Sequence, residues 1–363
     1  MNALPSCASQ HRFEELVFRR LPLAGMLAAA MAAIAFGPQW SAWAAPLPWL
    51  VSLVFVGLPH GAADLAIAHR LGSRAGAVRM FVGYFAVMVA VFIGFAMFPV
   101  PLVLLFAALS IWHFGMSHAD GQTPPIPAAF RPRLQAAIAR GAGVLGVPLA
   151  CWPAETSDVA ARLLAVMGGN TAVGWFAPAG VRTTGIALLM IAVAAIAAEA
   201  FETRRVPGAA RRSFATLVDL AVIGLLGVTT TPLFSVGMYF LCWHAWRHLW
   251  LLSPLVARVR PADPASLGRS LLRLHTAALP LLLPTWGALL AGWWWLSPDH
   301  SLRDLAILSL AVYLVVTPSH DLLIDLLRAR TGPARAFGDQ PAADIPASNV
   351  PPSCAARLAS SSP

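Results

Sequence analysis

Residues 80–119 read MFVGYFAVMVAVFIGFAMFPVPLVLLFAALSIWHFGMSHA, 40 residues without one Asp, Glu, Lys or Arg. A transmembrane helix needs about 20 apolar residues. Pro99 and Pro101 divide the run into two segments of that length. Inside hydrocarbon a backbone amide finds its partner only within its own helix or a closed barrel. The stretch therefore reads as two membrane-spanning helices, 80–99 and 101–119.

The rest of the chain follows the same pattern. Further apolar segments fall at 23–43, 47–68, 134–152, 183–201, 214–231, 234–254, 274–296 and 303–327. Of 363 residues, 58% are hydrophobic and 11% charged. Soluble domains carry about 25% charged residues, so this composition excludes an ordinary soluble enzyme, a disordered chain and a fibre. The expected fold is all-α: a polytopic membrane helical bundle of about ten transmembrane helices.

Charge supports that count. All 25 basic residues are Arg, giving a net charge of +9. With the N-terminus inside, the inner segments hold Arg12, Arg19 and Arg20, then Arg70, Arg74 and Arg79, then Arg131 and Arg133. The later inner segments continue the series through Arg204, Arg258 and Arg328, whereas the outer ones hold only Arg162, Arg182 and Arg303. This is the positive-inside pattern, with both termini cytoplasmic in the cell membrane. It accounts for the basic excess without nucleic acid as a partner; the partner is the lipid bilayer.

Three regions follow. Residues 1–45 form an N-terminal cytoplasmic segment and an extra membrane anchor; its basic start and the AWA at 42–44 also suit a cleaved signal peptide. Residues 46–330 form the membrane-embedded helical domain. Residues 331–363, rich in Pro, Ala and Ser, read as a disordered cytoplasmic tail. Residues 153–182 read as an external loop with an interfacial helix. Cys7, Cys151, Cys242 and Cys354 form no C-x-x-C pair, so neither a disulfide framework nor a Cys-built zinc site is expected.

Polar side chains within a bilayer are costly and mark functional sites. The chain has ten His, and most lie within the expected spans. Four clusters stand out: GLPHGAAD at 57–64, WHFGMSH at 112–118, WHAWRH at 243–248 and TPSHD at 317–321. His60, His113, His244 and His248 lie about 10–14 residues from the outer ends of their spans, roughly 15–21 Å deep at 1.5 Å per residue. Four imidazoles from three helices thus share one layer. His244 and His248 are spaced i, i+4, which puts both on one helix face.

Imidazole binds Fe, Zn, Cu and Ni, so these four are the candidate metal ligands; two of them as axial haem ligands is the competing arrangement. Asp64, one turn after His60, is a candidate to orient that ring. His320 follows Pro318 and lies somewhat deeper, as a pocket residue. Trp112 and Trp243 flank the imidazoles and are candidate walls of a tunnel for a long flat substrate. Arg247 either reaches the interface or pairs with Asp219. His11, His69, His118, His275 and His300 receive no role.

The chain has no G-x-S-x-G elbow, no P-loop and few carboxylates within the spans. Neutral imidazoles in an apolar pocket suit redox chemistry on an apolar molecule. One alternative is a di-iron membrane hydroxylase or desaturase acting on a carotenoid or lipid. Such enzymes carry an HH pair, and this sequence has none. A second is a non-enzymatic membrane protein binding haem or metal.

The motifs GLPHGAAD at 57–64, WHFG at 112–115, WHAWRH at 243–248 and TPSH at 317–320 resemble, in order and spacing, the Brp/Blh family of membrane β-carotene 15,15′-dioxygenases. The resemblance covers about residues 50–328. It implies a helical membrane enzyme holding one Fe(II) through His60, His113, His244 and His248. It implies O₂-dependent cleavage of β-carotene at its central double bond into two all-trans-retinal. Ser319 stands where the family tends to have Pro directly before His, and residues 1–45 lie outside the usual core.

Overall fold

A computed structural model describes residues 7–63, 74–120, 130–166, 176–205, 209–249, 252, 263–297 and 299–331. Among the described residues every regular element is a helix. Asp64, His69 and the tail from 332 onward lie outside them.

The chain opens with α1 (Cys7–Glu15), a π-wound segment (Leu16–Arg20) and α2 (Leu21–Phe36). Short helices α3 (Gln39–Ala44), α4 (Pro46–Phe55) and α5 (Gly57–Ala62) follow. Then come α6 (Arg74–Met97), α7 (Pro99–Asp120), α8 (Phe130–Cys151), α9 (Pro153–Val166) and α10 (Pro178–Thr203). The last part holds α11 (Ala209–Thr229) and α12 (Pro232–Tyr239) with its π-wound continuation Phe240–Ala245. It ends with α13 (Pro264–Leu296) and α14 (Leu302–Thr331).

Large apolar side chains face outward along these helices: Trp43, Phe36, Met190, Val193 and Trp295 are all well exposed. In water such a surface aggregates; in lipid it is the solvated face. Among the described residues seven helices are long and apolar enough to cross a membrane, or eight if a bent pair counts as one span. The expected ten is therefore slightly high. The apolar part of α11 extends only over Ser213–Thr229. The segment at 234–254 is interrupted by π winding, and most of it beyond 249 lies outside the described residues.

The bent pair is Ala137–Cys151 and Pro153–Val166, at 106°. Proline lacks the amide that would continue the ladder, and Pro153 starts α9 in a new direction. The helix expected at 153–182 is thus present; Glu155 and Arg162 are exposed and one face packs inward. Leu163 and Leu164 are buried, and α9 packs on α10, α14 and α8.

The tightest seams join α8 to α10 and to α7. Small residues make them, as in many membrane helix pairs. A Cβ on Gly115 would collide with the Ala137 carbonyl, and one on Gly141 with the Ile111 carbonyl. The α7 backbone therefore touches that of α8 at two points, one on each side of His113. Arg140 is fully buried in the same region; its guanidinium donates to Glu199 at 3.0 and 3.2 Å and to Thr216 at 3.3 Å, joining α8, α10 and α11.

Candidate metal centre and its cavity

His60 lies on α5, just past the break at Val56 (φ −141°) that separates α4 from α5. Its Nδ1 contacts the Val56 carbonyl at 3.0 Å. As the donor in that bond, Nδ1 leaves Nε2 as the ring's lone pair. His113 comes from α7, with its Nδ1 on the Asp321 carboxylate of α14. Its Nε2 lies 2.8 Å from the Nε2 of His244. His244 sits in the π-wound segment, and His248 follows it in the helical turn 246–249. His320 comes from α14.

The four imidazoles singled out by depth and spacing do come together, and His320 joins them. Ring centroids of His244 are 4.4 Å from His113, 4.9 Å from His248 and 5.7 Å from His60. His320 is 5.4 Å from His60, 5.5 Å from His113 and 5.9 Å from His248. His60, His244, His248 and His320 are buried, and His113 nearly so. One nitrogen each from His113, His244 and His248 falls within 4.8 Å of the others, close enough to share one ion.

The donor set suits a metal on its own chemistry. The Nε2 pair at 2.8 Å is close to the about 3 Å between adjacent ligands at metal–nitrogen bonds of about 2.1 Å. His113 backed by a carboxylate is the arrangement that fixes tautomer and ring angle in metal sites. His244 Nδ1 is buried with no hydrogen-bond partner among the described residues.

A cavity of about 1170 Å³ opens beside the cluster, touching His60, His113 and His320. Ligand pockets usually span about 300–1,000 Å³, so this one has room for a long molecule. Its walls are nearly all apolar: Phe81, Phe85, Phe92 and Phe95 from α6, Phe106 and Phe114 from α7, Val159 and Leu163 from α9, and Leu281 and Leu289 from α13. Thr156, Thr184, Thr285 and Thr317 are among the few hydroxyls.

Several expectations change. Among the described residues Trp112 and Trp243 do not line the cavity; phenylalanines, with Trp49, Tyr84 and Tyr313, form the aromatic wall. Trp243 is fully buried behind it, under the Arg247 guanidinium 4.6 Å from its ring. Arg247 does interact electrostatically with Asp219, which also accepts from Arg19 at 3.3 and 3.1 Å. The carboxylate on an imidazole is Asp321, whereas Asp64, the expected partner of His60, lies outside the described residues. The sequence carried a signal for it: Asp321 directly follows an intramembrane His.

Comparison with known proteins agrees with the motifs. The family described as beta-carotene 15,15′-dioxygenase matches residues 51–328. A protein described as a probable beta-carotene 15,15′-dioxygenase Blh, from Halobacterium salinarum, is 31% identical over 291 residues, covering 75% of this chain and 81% of its own. No solved structure matches the chain. The matched stretch contains all five clustered imidazoles, Asp321 and every wall residue named above, and on that extent the chain belongs to the β-carotene 15,15′-dioxygenase family.

Proposed function

We propose that this protein cleaves β-carotene at its central 15,15′ double bond, using O₂ and one Fe(II) held by His60, His113, His244 and His248. The observation that carries the reading is the convergence of these imidazoles beside an apolar cavity inside a membrane bundle. The same helices support a place in the cell membrane with both termini cytoplasmic. Residues 46–330 form the catalytic unit in this reading.

Each residue has a task. The imidazoles offer neutral nitrogen lone pairs, and nitrogen ligands of this kind suit iron. Asp321 holds the His113 ring with Nε2 toward the centre, and the Val56 carbonyl does the same for His60. His320 packs against three of the four and faces the cavity as a pocket residue. When bound, iron would let triplet O₂ react with a singlet alkene, a combination that is otherwise slow.

The phenylalanine walls grip the polyene by area alone and exclude water from the reacting bond. Positioning is the protein's main contribution, and no side-chain acid or base is required. The bonds balance: the C15=C15′ double bond breaks, and each oxygen atom of one O₂ ends in one aldehyde. One β-carotene gives two retinal.

Expression in a bacterial host that accumulates β-carotene tests this. Loss of β-carotene with two retinal formed per molecule is the expected result, with ¹⁸O from ¹⁸O₂ in both aldehydes. Unchanged β-carotene, with iron-loaded protein present in the membrane, would overturn it.

A further inference from the structure

We infer that Phe18 and Arg19 are positioning residues for the imidazole cluster, bracing from behind the helix that bears His244 and His248. Both lie on the helix Arg12–Phe36, which precedes the family-matched stretch beginning at residue 51. The inference rests on the metal-centre reading above.

Phe18 is 5% exposed and sits in an apolar cluster with Val56, Ala245, Leu249 and Leu323. Three of these are tied to the imidazoles directly. The Val56 carbonyl holds His60, Ala245 follows His244 and Leu249 follows His248. Leu323 lies three residues beyond His320. None of the four lines the cavity, so Phe18 presses on the cluster from the side away from substrate.

Directional contacts fix the same junction. The Phe18 ring stacks on Trp246 at 5.6 Å, and Trp246 Nε1 donates to the Val17 carbonyl at 3.0 Å. Arg19 donates through Nε and Nη2 to Asp219 at 3.3 and 3.1 Å, and through Nη1 to Glu15 at 2.9 Å. Asp219 is 5% exposed and interacts electrostatically with Arg247, between the paired imidazoles.

Winding explains why a brace is needed. Leu16–Arg20 and Phe240–Ala245 are both π-wound, a rare geometry that occurs in short pieces at functional sites. The second segment contains His244, while His248 lies in the turn after it. The π winding therefore sets the angle between the two rings. Packing from Phe18 and Trp246 at the end of that segment holds it.

The test is Co(II) titration of metal-free, full-length protein, followed by d–d absorption, with Phe18→Ala, Phe18→Leu and Arg19→Gln. The expected result for Phe18→Ala and Arg19→Gln is Co(II) binding weakened about 10–100-fold, as for other residues that orient metal ligands, with a shifted band. Phe18→Leu, which keeps most of the packing volume, should fall between. Arg19→Gln combined with Asp219→Asn should be no weaker than either alone. Met31→Ala, on the outward face of the same helix, should match the unmutated protein.

Unmutated affinity and band in both Phe18→Ala and Arg19→Gln would overturn the brace, even if their melting temperatures fall. An unmutated protein that binds no Co(II) would overturn the metal-centre reading, and the brace with it.

Discussion

The two parts of the cavity are held in place by different physics. At the imidazole cluster directional contacts place the rings of His60, His113 and His244: His60 on the Val56 carbonyl, His113 on Asp321, His113 against His244. The walls are phenylalanines and aliphatic side chains from α6, α7, α9 and α13 with almost no polar atoms. A hydrogen bond fails steeply with angle and distance. Dispersion and area burial fall off gradually and are shared among many neighbours. Changes at the imidazole cluster should thus act steeply, and changes in the walls should act weakly and by degrees.

The strongest way to break this contrast is His113→Ala. It should lose bound iron and activity together, to background, as read by metal analysis and retinal formation. His300→Ala, on a ring packed against Trp293 and Trp294, should lose neither. Iron retained in the first variant would remove His113 from the ligand set.

Asp321→Asn comes next. Loss of a carboxylate that orients a metal-bound imidazole typically costs about 10–100-fold in affinity or activity. Iron affinity should fall by that factor while the KM for β-carotene stays put. A change in KM alone would make Asp321 a substrate residue.

Phe106→Ala tests the walls. It should raise the KM for β-carotene several-fold, with iron content unchanged and kcat reduced less than KM is raised. Complete inactivity would show that the walls, too, depend on exact placement.

The smallest effect belongs to neither region. Asp263 caps α13: its side chain accepts from the Ser266 amide at 2.8 Å, and Ser266 Oγ accepts in return from the Asp263 amide. That amide bond holds the Asp263 carboxyl below the usual carboxylate range. Its contribution is complete above about pH 4 and fades as pH falls through the lowered value. Asp263→Ala should lower the melting temperature slightly at neutral pH. The difference from the unmutated protein should vanish in acid.

What the sequence revealed divides along similar lines. Depth was legible because helix rise is constant, so counting residues placed His60, His113, His244 and His248 in one layer. Their lateral convergence was not, because it depends on how α5, α7 and the π-wound segment rotate about their own axes. The same ignorance of rotation made Trp112 and Trp243 look like tunnel walls. Asp64 is near His60 along the chain, whereas the carboxylate that reaches His113 is 208 residues away in sequence. The Arg19–Asp219 pair spans 200 residues, and no local pattern announces it. Proline at 153 signalled a break but not the 106° turn, which brings one face of the expected interfacial helix into the cavity wall.

Gly115 and Gly141 bracket His113 with contacts that leave no room for even a methyl group. Neither residue has any chemistry to contribute to an oxidation. Yet each fixes the height of α7 on α8, and so the height of the imidazole between them. Over evolutionary time a ligand and its two spacers face the same arithmetic, since losing any one of the three empties the same position. Two silent residues should thus tolerate as little variation as the imidazole itself, and a survey that weighed positions by reactivity alone would overlook them.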